Sequence, residues 1–224
     1  MPLTYASYLK LDELLALQQP VSDGPEHDEM LFIVIHQVYE LWFKEMLHEL
    51  DYLKGLLERR DDMRAQHTLK RVLTILKVVV AQIDVLETMT PLEFLTFRER
   101  LESGSGFQSF QFRELEFLLG MRSSKALLRY PEGSSARKRL ERRLAEPSLW
   151  DAFLHYLVAK APPGLLTYYP EDHIMVVNLN DWMPPGIDLS LERTLFEPGQ
   201  LTLQFASGSY DLADFLRSPA GEDD

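Results

Sequence analysis

Two stretches of this chain repeat their apolar residues at α-helical spacing for longer than any other pattern persists, and they restrict the fold before anything else does. In the first, Leu31, Val34, Ile35, Val38, Leu41 and Trp42 form one stripe, and Asp28 stands where a carboxylate can cap the helix. This predicts a helix over 28–58. The second run, Leu69, Val72, Leu73, Leu76, Val79, Val80 and Ile83, predicts another over 62–87. Thr90-Pro91-Leu92-Glu93 has the form of a capping box with proline at the first helical position, so a short helix carrying Arg98 begins there. Residues 110–119, 136–145 and 148–160 read as three more helices. The expected fold class is all-α, a helical bundle.

Composition narrows the partners. With 46% hydrophobic and 11% aromatic residues, 224 residues suffice for one large core. Cysteine is absent, which excludes a disulfide framework and thiolate metal sites and leaves His, Asp and Glu as protein metal ligands. A net charge of −12 argues against a nucleic-acid partner, which needs clustered Lys and Arg. The most apolar run, 72–86, is interrupted by Lys77 and Asp84, so no membrane span is expected. The first residues carry no basic segment of the export type, and a cytoplasmic location is the expectation.

The charge is uneven. Beyond Pro162-Pro163-Gly164 there are eleven acidic residues against Arg193 and Arg217 only. We read a helical domain over 1–163 and an irregular, acidic, proline-containing extension over 164–224, with short apolar runs at 174–177 and 201–205 and a polar end. No internal repeat is evident. In the extension, Leu165, Leu166, Ile174, Val176, Leu179, Trp182, Ile187 and Leu189 are groups that can cover apolar helix faces; the alternative is an extension without fixed structure.

The chemistry concentrates in two places. Arg98 supplies a planar guanidinium suited to a carboxylate, just ahead of a loop in which Gly104 and Gly106 let the backbone bend and bring N–H groups near an anion. A glycine-serine loop between helices is, however, more often a plain connector. His36 lies four residues after Phe32 and four before Glu40, so an imidazole shares a helix face with an aromatic ring. It can read a ring N–H or an oxygen species, or it can be a core histidine bonded to a neighbouring carboxylate. Glu45-Met46-Leu47-His48 has the Glu-x-x-His spacing of di-iron bundles, but no second copy exists.

Several blocks carry a resemblance. His27-Asp28-Glu29-Met30-Leu31-Phe32-Ile33-Val34-Ile35-His36-Gln37-Val38-Tyr39-Glu40-Leu41-Trp42-Phe43-Lys44 resembles the signature helix of the tryptophan 2,3-dioxygenase family. Leu86-Glu87-Thr88-Met89-Thr90-Pro91, Phe97-Arg98 and Ser105-Gly106-Phe107-Gln108-Ser109-Phe110-Gln111-Phe112-Arg113 resemble its next two, in order and spacing. The likeness runs from about residue 4 to about residue 160. It implies the all-α bundle of the tryptophan/indoleamine 2,3-dioxygenase type and a haem enzyme that opens the indole ring of L-tryptophan with O2. The product is N-formylkynurenine, the entry to the kynurenine pathway.

Carried over by resemblance, Phe32, Ile33, Val34, Ile35 and His36 line the substrate site. Phe32 packs on the indole, and His36, the catalytic candidate, faces its N–H. Arg98 binds the substrate carboxylate, Phe94 takes a position that is Tyr or Phe in the family, and Ser105 lies over the haem edge near the ammonium group. Tyr5 and Tyr8 match a segment that reaches into a neighbouring subunit's site, which implies a homo-oligomer, in the family a homotetramer.

One departure stands against this. The family's haem-ligating histidine lies on a later helix, before a Gly-Thr-Gly-Gly-Ser-Ser-Gly loop, and neither block occurs here. Axial ligation tunes a haem for O2. Of the six histidines, His27, His48, His67 and His155 fall in non-ligand regions, and His173 is the outside candidate for the metal. Three readings follow: a family member with an unorthodox ligand or a shortened form of a full enzyme; a haemless relative that keeps an indole-binding or regulatory pocket; or a relative with different chemistry.

Overall fold

The computed structural model describes residues 2–24, 26–101, 108–161, 163, 166–169, 174–177, 191–197, 200–205 and 208–211. Two short helices, α1 (Tyr5–Leu9) and α2 (Leu11–Leu15), precede the long helices α3 (His27–Glu58) and α4 (Asp62–Leu86). Next come α5 (Pro91–Arg98), a 3-10 turn (Glu99–Leu101), α6 (Phe110–Leu119) and a 3-10 helix (Ser124–Arg129). The bundle closes with α7 (Ser135–Ala145) and α8 (Leu149–Lys160).

The all-α expectation holds for the bundle, with differences at the ends. α3 starts one residue before Asp28, which therefore sits in the first turn and not at the cap; Glu26 is the N-cap and makes no side-chain cap bond. Glu29 does the anchoring instead. Its buried carboxylate accepts the backbone N–H groups of Val21 (2.6 Å) and Ser22 (3.2 Å), tying the preceding strap to the helix. The turn into α4 is tight: Arg60 adopts a left-handed conformation (φ 59°) and the Asp61 N–H bonds back to the Leu56 carbonyl at 3.0 Å. Asp61 then caps α4 through the Arg64 N–H. So short a connection makes the two helices antiparallel neighbours.

The main core lies at this closed end. Leu50, Leu53, Leu56 and Leu57 of α3 pack with Ala65, Val72 and Ile75 of α4 and with Leu115 and Leu118 of α6, while Phe153 and Tyr156 of α8 cover them. Each fully buried leucine contributes roughly 1.5–3 kcal/mol relative to exposure. Along α4, the line turned inward is Ala65, Thr68, Val72 and Ile75, not the whole expected stripe. Leu69, Leu73, Leu76, Val80 and Ile83 face outward, Val80 at 63% exposure. The helix is apolar on two sides, and a periodicity count cannot choose between them.

α7 is held electrostatically. Glu114 of α6, fully buried, accepts Arg139 Nη2 at 2.8 Å and Arg143 Nε at 2.9 Å, and Arg143 reaches on to Asp51 of α3. A buried carboxylate so paired is tolerated because both oxygens are satisfied.

Where the sequence suggests an irregular extension, the described backbone forms strands: β1 (Leu166–Tyr169), β2 (Ile174–Val177), β3 (Leu191–Glu197), β4 (Gln200–Phe205) and β5 (Gly208–Asp211). β1 and β2 pair antiparallel, Tyr168 opposite Met175; β3, β4 and β5 form an antiparallel meander in that order. The two short apolar runs named above fall in β2 and β4. β1 is fastened to the bundle by Tyr168, whose hydroxyl donates to Asp151 Oδ1 of α8 at 2.8 Å. Of the expected covering groups, Leu166 and Val176 are half-buried, while Leu165, Leu179, Trp182, Ile187 and Leu189 lie outside the described residues. Among the described residues no helix is long and apolar enough to cross a membrane.

Candidate functional site

The N-terminal third of α3 meets α5 away from the main core. α5 begins with a reciprocal cap: the Thr90 hydroxyl accepts the Glu93 N–H at 3.3 Å, and Glu93 Oε2 accepts the Thr90 N–H at 2.7 Å. With its start fixed, the helix turns Phe94, Phe97 and Arg98, spaced i, i+3 and i+4, to one face. Phe97 is fully buried. Its ring lies 5.6 Å from Phe32 and 5.5 Å, edge-on at 88°, from Phe94; Phe32 and Phe94 are 5.8 Å apart. The Arg98 guanidinium carbon is 6.0 Å from the Phe94 ring centroid, on the last turn of α5, where the helix dipole favours a cation.

His36 completes the group. Its ring centroid is 4.1 Å from that of Phe32, and Nδ1 lies 2.7 Å from the Phe32 carbonyl oxygen. A carbonyl only accepts, so Nδ1 carries the proton, and in the neutral ring Nε2 keeps a lone pair. His36 is thereby an acceptor of fixed orientation. It is not bonded to Glu40: that carboxylate takes Gln111 Nε2 at 2.7 Å, and the Glu40 carbonyl takes the same group at 2.9 Å, joining α6 to α3.

Of the other expected residues, Ile35 shares the Phe32 side of the helix and is buried, and Ile33 is half-buried beside it. Val34 is on the far side and 40% exposed. Tyr5 and Tyr8 stand exposed on α1, which packs on α2. Ser105, Gly104, Gly106 and His173 lie outside the described residues. Sequence reasoning passed over Phe97 and Gln111; spacing of three from Phe94 was the available signal for the first, whereas the second depends on a contact across 71 positions.

His27, His48, His67 and His155 are exposed on outer helix faces; His155 meets the Tyr168 ring edge-on, and His67 stands 3.4 Å from Arg71. One open cavity of about 440 Å³ is cationic and another of about 390 Å³ is apolar; neither is lined by histidine. No cluster of three His, Asp or Glu that could hold a metal occurs among the described residues. A haem takes an axial side-chain ligand, and none of these four histidines lines either cavity.

Fold and site together define an all-α bundle protein in which an aromatic group, an oriented imidazole and a guanidinium converge where α3 meets α5. The family model for tryptophan 2,3-dioxygenase matches residues 1–168, and the chain belongs to that family. It is 65% identical over 155 residues to the tryptophan 2,3-dioxygenase of Herpetosiphon aurantiacus, covering 69% of this chain and 59% of the relative. The Nocardioides enzyme of that name is 57% identical over 160 residues (69% and 60% covered), and that of Xanthomonas oryzae pv. oryzae 38% over 192 residues (86% and 65%). The chain thus spans about three-fifths of the length of the first relatives it matches.

Proposed function

We propose that this chain carries the substrate-reading part of a tryptophan 2,3-dioxygenase, an oxidoreductase that opens the indole ring of L-tryptophan with O2 to give N-formylkynurenine, in the cytoplasm. The observation that carries the reading is the oriented imidazole. With Nδ1–H committed to the Phe32 carbonyl, Nε2 of His36 is an acceptor beside an aromatic wall, which suits an indole N–H. Arg98, on the α5 face that bears Phe94 and Phe97, suits the α-carboxylate through two parallel hydrogen bonds. Phe32 offers the indole an offset or edge contact. Dioxygen chemistry in this family is the work of a haem. The assignment of haem to this chain rests on family membership, with His173 as the axial candidate.

The reading is tested by calorimetric titration with L-tryptophan. Arg98→Ala should weaken binding by about 1.5–3 kcal/mol, the cost of losing a charge-assisted contact, and indole, which has no carboxylate, should not sense the change. Equal affinity of wild type and variant for L-tryptophan would remove the carboxylate assignment. Absorbance on hemin titration decides the haem: a stoichiometric Soret band that is lost in His173→Ala supports the assignment, and no band refutes it.

The same reading makes the protein a homotetramer in which Tyr5 and Tyr8 complete a neighbour's site. It is supported by the exposure of Tyr5, Tyr8 and the outward apolar line of α4. Sedimentation velocity should show a species about four times the chain mass of 26.0 kDa; a monomer at all concentrations would refute it.

A further inference from the structure

The cationic cavity stands apart from the α3–α5 group and has no part in the function proposed above. It is built by a reversal of the chain. α6 ends at Gly120, whose left-handed conformation (φ 109°) turns the backbone, and the 3-10 helix Ser124–Arg129 doubles back alongside. α6 contributes Arg113, Glu116 and Phe117 at i, i+3 and i+4, so all three face the cavity; the returning arm contributes Arg122, Lys125 and Arg129.

Four cations thus meet one carboxylate, in a chain whose net charge is −12. Glu116 is engaged by Arg113 Nη1 at 2.6 Å. Arg122 is held on the backbone carbonyls of Leu144 and Glu146 and lies 3.8 Å from the Asp151 carboxylate of α8. Lys125 and Arg129 are in no ion pair among the described residues. In addition, Arg113 Nε is buried and has no acceptor among the described residues, so it has a donor to offer an incoming oxygen atom. The floor is apolar, formed by Phe117, which is 1% exposed.

The geometry points to a binding site for a small, multiply charged anion, of the phosphate-ester or polycarboxylate class. Arginine forks and a lysine match the oxygens of either group, and the surplus of positive charge calls for an anion carrying at least two negative charges. The volume, about 440 Å³, is in the range of small-molecule sites. A nucleic acid is disfavoured because the cations gather in one cavity and form no stripe, and because the rest of the chain repels a long polyanion.

The test is calorimetric titration of the full chain with pyrophosphate and with citrate, against acetate at matched ionic strength. Both multivalent anions should bind one to one, acetate should not, and added NaCl should weaken the binding. Lys125→Ala/Arg129→Ala, which removes exposed side chains, should lower affinity at least about tenfold with an unchanged circular dichroism spectrum. Lys70→Ala/Lys77→Ala, which changes net charge equally on the outer surface of α4, should leave it within about twofold. Absence of saturable heat overturns the proposal. So does an equal loss in the two double variants, because the effect would then be general electrostatics.

Discussion

What His36 can do is decided by a single carbonyl. Bonded through Nδ1 to the Phe32 backbone, the ring is held with its Nε2 acceptor outward. The sequence showed Phe32 and His36 at helical spacing on one helix and Arg98 on another, and the first pairing needs only the period of the helix. Which nitrogen carries the proton depends on a distance of 2.7 Å that no spacing encodes. A carboxylate on α8 sets a pH dependence. Burial pushes the Asp151 carboxyl up, but hydrogen bonds from the Ser148 hydroxyl and N–H and from the Tyr168 hydroxyl, with Arg122 at 3.8 Å, outweigh it and hold the group below its ordinary value of 3.8. A carboxyl lowered on folding stabilises the native state above the unfolded value, and that contribution is lost as pH falls through the folded one. Urea denaturation should therefore show stability dropping below about pH 4. Tyr168→Phe, which removes one bond to this carboxylate, should cost about 1.5–3 kcal/mol at pH 7 and flatten that drop. An unchanged profile would disconnect Asp151 from acid stability.

Among the helices, those with their own start and stop signals were legible. Thr90 and Glu93 fix α5, Ser109 caps α6 through the Phe112 N–H, and Ser148 with Asp151 caps α8. α4 was harder. Its apolar residues cover more than one face, and the face that is buried was chosen by packing with α3, α6 and α8, the last two far off in sequence. The strands of the extension were visible only as short apolar runs, because pairing partners such as Leu191 and Phe205 are set by the chain between them. Gly120 is where an element end bears on function, since both arms of the cationic cavity depend on its turn. A Cβ there would lie 3.3 Å from Trp150 Cβ on top of the left-handed backbone. Gly120→Ala should cost about 1–3 kcal/mol in thermal unfolding and weaken pyrophosphate binding; full stability in that variant would show that the turn relaxes freely.

The molecule as a whole divides its burdens unevenly. α3 has its buried leucines in one half, where α4, α6 and α8 surround it, and its chemistry in the other, where α5 packs against it, Tyr39 bonds the Val79 carbonyl of α4 and Met30, Val34 and Leu41 are exposed. Proteins open locally where packing is thin, well before they unfold. Amide hydrogen exchange should accordingly run as a gradient along one continuous helix, fast over residues 28–40 and slow over 46–57, with L-tryptophan retarding only the fast portion. Uniform protection across α3 would mean that the ends are coupled. If the gradient is found, the long helix is two cooperative units joined without a break: one holds the fold, and the other can breathe to admit an amino acid while the first stays shut.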